Sequence, residues 1–427
     1  MEHNRKMAFT SPFHYKNGRL YAEDVPVEAV TREASTPTYI YSQNAILARL
    51  NAYQRAFRSV PHLICYSVKA NSNLSILRLL SKHGAGADIV SKGELERTLR
   101  SGFAPGKIIF SGVGKTEEEI RLALRRGIRM LNVESEEELL KIREVAKRLR
   151  VRAPISIRVN PDIKADTHHH IQTGSKAHKF GIDPAQALRL YRRARRCPEI
   201  ITIGIQCHIG SQITQVEPYR KAFETLLALK ERLMKEGIPI DIIDIGGGLG
   251  VAYRNEQSPH PEALAQMILP KLRESTAILF LEPGRSLVAE PGILVTRVIY
   301  RKNSHGKRFV IVDAGMNDMA RPSLYDAYHT IQPVRKTLNG RPVKADIVGP
   351  ICESGDYLAR GRVLRLPGQG NLLAVMTTGA YGFSMSSQYN SRPRAAEVLV
   401  EGNRWRFIRR REKTEDLWRE EIDFVKK

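Results

Sequence analysis

A lysine closes the apolar run Ile64-Cys65-Tyr66-Ser67-Val68-Lys69. An ammonium at a strand end can snorkel to water or pair with a carboxylate such as Asp88. Desolvated in a cleft, the same amine loses its proton more readily and can form a Schiff base with an aldehyde. Gly246-Gly247-Gly248 follows the strand-like IIDI and offers backbone N–H groups that no side chain obstructs, as a phosphate requires; tight turns also use glycines for purely steric reasons. Glu282 ends ILFL, Pro283-Gly284 turns the chain, and Arg285 stands beside it. These two charges form a local ion pair, or the carboxylate meets the ring nitrogen of a cofactor and keeps it protonated. His208 and Ser211 in CHIGSQI are a core histidine and a loop serine, or a ring that stacks on a flat cofactor and a hydroxyl that binds its phosphate. Cys352-Glu353 in GPICESGD follows an apolar strand, where a cysteine is usually core. Packed against a cleft, its own or a partner's, Cys352 can donate a proton and Glu353 can bind an ammonium. An aldehyde, a phosphate and a pyridine nitrogen are the three handles of pyridoxal phosphate.

These residues need a frame that gathers them. From about residue 38 to 285, short apolar runs alternate with longer charged, helix-patterned stretches, the signature of repeated βα units and a parallel sheet. HLICYSVK, GADIVS, KIIFSG, RMLNVE, PISIRVN, TIGIQCHIG, IIDIGGG and ILFLEPG are the strand candidates. Eight units predict a closed (β/α)₈ TIM barrel, with a doubly wound open sheet as the alternative. The polar residues Lys69, Asp88, Ser91, Ser111, Arg158, Asn160, His208, Ser211, Gly246 to Gly248 and Glu282 end these runs. In a parallel barrel those ends share one face, where barrel enzymes place their chemistry. Residues 286–427 read differently, as β-rich segments (ILVTRVIY, KRFVIVDAG, ADIVGPIC, NLLAVMTTGAYG, EVLVEG, RWRFIRR) of an antiparallel β-barrel-like domain. A short amphipathic helix in TEDLWREEI closes it. In residues 1–37, FHYKNGRLYAEDV predicts a hairpin turning at Asn17-Gly18 whose strands join the C-terminal domain.

The 427 residues suffice for such a barrel and a second module, and 42% hydrophobic with 26% charged residues is a globular composition. The net charge of +23 raises nucleic acid as a partner. The cations are spread, however. Arg121, Arg125 and Arg126, then Lys141, Arg143, Lys147, Arg148 and Arg150, fall at the spacing of solvated helix faces with Glu neighbours, so no nucleic-acid role is expected. Cys65, Cys197, Cys207 and Cys352 form no CxxC pair, which points to a reducing cytoplasm. No apolar signal core or membrane-length run is evident, so neither export nor membrane insertion is expected. The histidine run THHH at 167–170 cannot easily turn every ring to one ion, and no metal is expected.

YSVKANSN, GADIVSKGEL, HIGSQI, DIGGGLG, EPGRSLV, MNDMARPSLYDAYH, GPICESGD and GAYGFSMSSQYNSRPRAAEVL, in this order, resemble the diaminopimelate decarboxylases, of the alanine-racemase-like fold type of pyridoxal phosphate enzymes. The resemblance covers about residues 10–425. It implies a barrel plus a β domain, a homodimer with active sites at the interface, and decarboxylation of meso-diaminopimelate, an amino acid, to L-lysine. By motif, Lys69 forms the Schiff base, His208 stacks on the ring and Glu282 meets the pyridine nitrogen. Asp88, Ser211, Gly246, Gly247, Gly248, Gly284, Arg285 and Tyr381 complete the cofactor site. Arg285, Arg321, Tyr325, Glu353 and Tyr381 hold the substrate, and Cys352 and Glu353 reach across from one subunit to the other. Lys92 departs from the family, which usually has a small residue there. An ornithine- or arginine-type decarboxylase, a racemase, and a catalytically silent cofactor-binding protein are the alternatives. A substrate with a distal carboxylate and ammonium needs both a cation and an anion in its pocket, and Arg285, Arg321 and Glu353 supply them.

Overall fold

The computed structural model describes residues 11–163, 179–254, 256–336 and 340–425, so the run at 167–170 lies outside the described residues. The chain divides into two compact units, Leu47–Ala289 and Met1–Ile46 with Glu290–Lys427.

In the first unit, eight strands pair in chain order and all in parallel: His62–Ser67, Gly86–Ile89, Ile108–Phe110, Met130–Val133, Ala153–Arg158, Ile200–Gln206, Ile242–Asp244 and Ile278–Leu281. The eighth returns to the first in the register Leu279↔His62, Phe280↔Leu63 and Leu281↔Ile64. This closes the barrel and excludes the open sheet. Each apolar run quoted above supplies one strand. Local chemistry also starts the helices. Asn73, Ser91, Thr116, Ser135 and Asp183 cap Leu74–Lys82, Lys92–Arg100, Glu117–Arg126, Glu136–Leu149 and Pro184–Arg195, their side-chain oxygens accepting first-turn N–H groups that would otherwise lack partners. Glu117–Arg126 buries Ile120, Ala123 and Leu124. Its Glu117 pairs with Lys141 and Arg148, so part of the basic sequence is helix surface laced with acids.

The barrel interior has two levels, set by the period of two along a strand. Cys65, Ile109, Met130, Ile242 and Phe280 form an apolar plug. Two residues further along the same strands stand Ser67, Ser111, Asn132, Asp244 and Glu282, and these make a polar floor above it. The floor is hydrogen-bonded strand to strand. Asn132 Nδ2 donates to Ser111 Oγ at 2.9 Å, Ser156 Oγ to Asn132 Oδ1 at 2.8 Å, and Ser67 Oγ to Asp88 Oδ2 at 3.0 Å. Leaving one such buried group unmatched costs about 1–3 kcal/mol, so the floor is a rigid platform.

In the second unit, nine strands form one sheet. Thr38–Ser42 lies at its centre, between Gly292–Ser304 and Ala396–Glu401. The sheet is antiparallel except at two joins, Thr38–Ser42 with Ala396–Glu401 and Lys307–Val312 with Val343–Val348. Long intervening chain makes such parallel joins possible. The N-terminal hairpin turns at Asn17-Gly18, both at positive φ, with Lys16 opposite Arg19. Phe13, Leu20 and Val25 then share a core with Ile40, Ile293, Val295, Val398 and Val400. One expectation fails here. TEDLWREEI forms a 3₁₀ turn, Thr414–Leu417, and its last residue begins a separate four-residue helix, Ile422–Val425, instead of one amphipathic helix. Trp418 remains exposed, so no apolar face is buried to support so short a helix. Among the described residues no helix is long and apolar enough to cross a membrane.

Candidate active site

The C-terminal barrel ends bring together Lys69, Asp88, His208, Ser211, Gly246 to Gly248, Glu282, Gly284 and Arg285. Lys69 sits in the 3₁₀ turn Val68–Ala70 directly after the first strand. Its Nζ is 3.4 Å from Asp88 Oδ2, and its side chain is 40% exposed while that of Asp88 is wholly buried. The ammonium is therefore held by a buried carboxylate while the side chain stays accessible at the mouth. Its ion-pair reading and its chemical reading coexist.

Asp88, Asp244 and Glu282 are three carboxyl groups buried at this end of the barrel. Glu282 Oε1 accepts a hydrogen bond from Gln206 Nε2 at 3.1 Å. Burial first, then the charges of Asp244 and Asp88, push the Glu282 carboxyl well above its ordinary range, against the pull of Lys69. Asp244 moves the same way, chiefly through burial, while hydrogen bonds with Glu282 and from Gly246 N–H restrain it. A site crowded with acid favours a ligand that brings positive charge. Asp88 Oδ1 and Gln206 Oε1 are buried with no hydrogen-bond partner among the described residues, so acceptors stand ready for such a ligand.

The glycine turn is a steric requirement. Gly246 and Gly248 have φ of +70° and +101°, and a Cβ on Gly247 or Gly248 would lie 2.0 Å from the Glu282 carbonyl oxygen or 2.1 Å from that of Gly210. At Gly284 a Cβ would press on Ser67 and Ala70 at 3.0 and 3.1 Å. Gly247 N–H donates to His208 Nδ1 at 3.2 Å, which makes that nitrogen the acceptor and fixes the ring. Burial, Arg158 and Lys69 hold the imidazole well below its ordinary range, hence neutral. Arg285 is buried and donates from Nη1 to Tyr253 OH at 2.6 Å and from Nη2 to Ser211 Oγ at 3.1 Å. The guanidinium thus links the loops after the sixth, seventh and eighth strands. The mouth combines an amine, an acidic pocket and an unobstructed turn beside a cation, which suits a cofactor with an electrophilic carbon, a basic ring nitrogen and a phosphate.

Arg321, Tyr325, Cys352, Glu353 and Tyr381 belong to the second unit. Ser323 Oγ donates to the Gly355 carbonyl at 2.6 Å, joining the short helix Arg321–Tyr325 to the turn that carries Cys352 and Glu353. Asp356 ties that turn down, accepting from Met316 N–H and Ile351 N–H at 2.7 Å each. Cys352 N–H donates to Asn390 Oδ1 at 2.8 Å, which leaves its exposed thiol outside the backbone bonding. Tyr381 takes the left-handed conformation, φ 56°, uncommon for an aromatic residue and frequent where a side chain is held for function.

Lys92 leaves the turn intact. Its N–H meets Glu119, its Nζ runs outward to Glu118 at 2.6 Å, and Ser91 still caps the helix. Sequence reasoning gave no role to Gln206, Asp244, Tyr253 or His329. Gln206 and Asp244 were discoverable as polar residues interrupting apolar strands at the depth of the quoted ones. Tyr253 lies in a loop that carries no periodic signal.

Residues 43–293 match the family described as pyridoxal-dependent decarboxylase, pyridoxal binding domain. The chain is 50% identical over 406 residues to diaminopimelate decarboxylase of Pseudomonas aeruginosa, covering 95% of this chain and 97% of that protein. It is 48% identical to the Vibrio cholerae enzyme of the same name, with coverage of 95% and 97%. The crystal structure of diaminopimelate decarboxylase from Helicobacter pylori complexed with L-lysine matches with a TM-score of 0.90 at 44% identity, over 93% of this chain and 100% of that one.

Proposed function

The chain belongs to the pyridoxal-phosphate-dependent diaminopimelate decarboxylases, and on that premise we propose that it removes CO₂ from meso-diaminopimelate to leave L-lysine, using the barrel mouth just described. The observation that carries the assignment of the mouth is Glu282, a carboxylate buried among other acids within the barrel end that also presents Lys69. When bound, the cofactor supplies an aldehyde that takes up amines and a ring that accepts the electron pair released with CO₂.

The chain supplies the rest. Lys69 Nζ is the amine that would hold the cofactor's aldehyde, and Asp88 keeps that amine at the mouth. Glu282, braced by Gln206 and pressed by Asp244, gains more from a ring N–H⁺ than an exposed carboxylate would, and so keeps that nitrogen protonated. His208 offers a ring whose orientation is fixed by Gly247. Gly246 to Gly248, Ser211, the backbone at Gly284, Arg285 and Tyr381 hold the phosphate. Arg285, Arg321, Tyr325, Tyr381 and Glu353 orient the substrate. Cys352 Sγ or Lys69 Nζ returns a proton to the carbon that lost CO₂. The active assembly in this proposal is a homodimer in which Cys352 and Glu353 serve the other subunit's site, and their exposure supports that role. Four free thiols fit a cytoplasmic setting.

Release of CO₂ from meso-diaminopimelate, ornithine, arginine and lysine tests the function with the cofactor-loaded protein. Turnover of diaminopimelate is expected; activity on ornithine alone would overturn the substrate, and no cofactor absorbance would overturn the class. The glycine turn has its own test. Gly247→Ala forces the turn off the Glu282 carbonyl and is expected to weaken cofactor binding about tenfold or more, roughly 1.4 kcal/mol, in an absorbance titration of apoprotein. Undiminished affinity would remove the turn from the phosphate site.

A further inference from the structure

Arg321 opens the helix Arg321–Tyr325, and His329 follows it after the chain turns back through Asp326 in the left-handed conformation. Both side chains are buried, His329 completely. Arg321 Nη1 lies 2.8 Å from His329 Nε2, and His329 Nδ1 lies 2.9 Å from the Met376 carbonyl oxygen. A guanidinium has only donors and a carbonyl only accepts, so the two neighbours dictate the imidazole tautomer. Nδ1 carries the proton and donates to Met376, while Nε2 accepts from Arg321. A second cation, Arg362, donates to the His329 carbonyl oxygen at 3.4 Å and lies over the Tyr328 ring. Because Nε2 accepts from a guanidinium it carries no proton, so the imidazole in this arrangement is the neutral tautomer protonated on Nδ1.

A carboxylate at this position would orient Arg321 as well, but it would draw on the charge that a substrate carboxylate needs. A neutral acceptor orients the guanidinium without itself adding a countercharge. We propose that His329 is a positioning residue that fixes Arg321 through a neutral Nε2 acceptor, so that the enzyme selects substrates carrying a distal carboxylate. The proposal rests on the reading of Arg321 as a substrate-binding residue.

Two amide substitutions separate the ring's two contacts. In His329→Asn the side chain reaches only as far as Nδ1, keeping Met376 and losing Arg321. In His329→Gln an amide oxygen reaches the Nε2 position and can still accept from Arg321. Steady-state kinetics of the holoenzyme with meso-diaminopimelate are expected to show KM raised about tenfold or more in His329→Asn, with kcat changed less than about threefold, and KM in His329→Gln within about threefold of the parent. Arg321→Ala serves as the reference and should raise KM at least as far as His329→Asn. If Arg321→Ala leaves KM unchanged, the substrate reading of Arg321 fails. If it raises KM and His329→Asn does not, or if Asn and Gln raise KM equally, the positioning role fails while that reading stands. Should His329→Asn not yield a holoenzyme spectrum, His329→Gln decides alone, a tenfold rise in its KM overturning the proposal.

Discussion

Lys69→Ala is expected to abolish turnover, by about four orders of magnitude or more, and to remove the visible absorbance gained when an amine takes up the cofactor aldehyde. The fold should survive. The lysine side chain is 40% exposed and lies in a one-turn 3₁₀ segment above the polar floor, so its loss opens no core cavity. Asp88 keeps its hydrogen bond from Ser67. The check is an absorbance spectrum of the purified variant with added cofactor, alongside its circular dichroism. A small primary amine should restore part of the absorbance, because the mouth stays open to a free amine when the tethered one is gone. A variant that folds, binds cofactor and keeps the parent's absorbance would show that another amine does this work.

Glu282→Gln should move activity and stability in opposite directions. The amide preserves shape but cannot stay charged beside a protonated ring nitrogen, and kcat is expected to fall on the order of a hundredfold or more. The apoprotein, by contrast, loses one of three crowded buried acids and should melt at a higher temperature. The pH dependence carries the same signature. Glu282 has a folded-state pKa above its unfolded value, so its contribution is fully present below the ordinary carboxylate range and is lost as pH rises through the folded value. The melting temperature of parent apoprotein should therefore fall more steeply with rising pH than that of Glu282→Gln. His208, held below its ordinary range, acts in the opposite sense at acid pH and is common to both proteins. Scanning fluorimetry of the two apoproteins across pH decides the matter; parallel curves would mean that Glu282 is not the strained acid.

The barrel was legible because buried parallel strands write themselves as apolar runs, and their C-terminal ends must carry whatever polar groups the loops present. ICYSVK, GAD and ILFLE each end on a residue, Lys69, Asp88 or Glu282, that the closed barrel does place at its mouth. What one strand pairs with is not written locally. TYIYS is as fully buried as a barrel strand, yet it lies at the centre of the other unit's sheet. Tyr357–Leu364 escaped notice because Arg360, Gly361 and Arg362 interrupt its apolar pattern, which an edge strand tolerates. The polar floor shows a different limit. Gln206 and Asp244 stand in plain view in the sequence, but the hydrogen bond from the one and the charge of the other reach Glu282 only once the sheet closes. The role of His329 is equally invisible, since the tautomer depends on a carbonyl 47 residues further along the chain.

The central place of Thr38–Ser42 has a consequence for the order in which the molecule is made. A ribosome releases the N-terminal hairpin and this strand first, but their partners Gly292–Ser304 and Ala396–Glu401 emerge only after the whole barrel. Residues 47–289 are contiguous and can close on themselves during synthesis, whereas TYIYS must wait with both edges bare. The nascent chain therefore carries this strand without its two sheet neighbours while the barrel is being made, and both strands that flank it are translated only after the barrel.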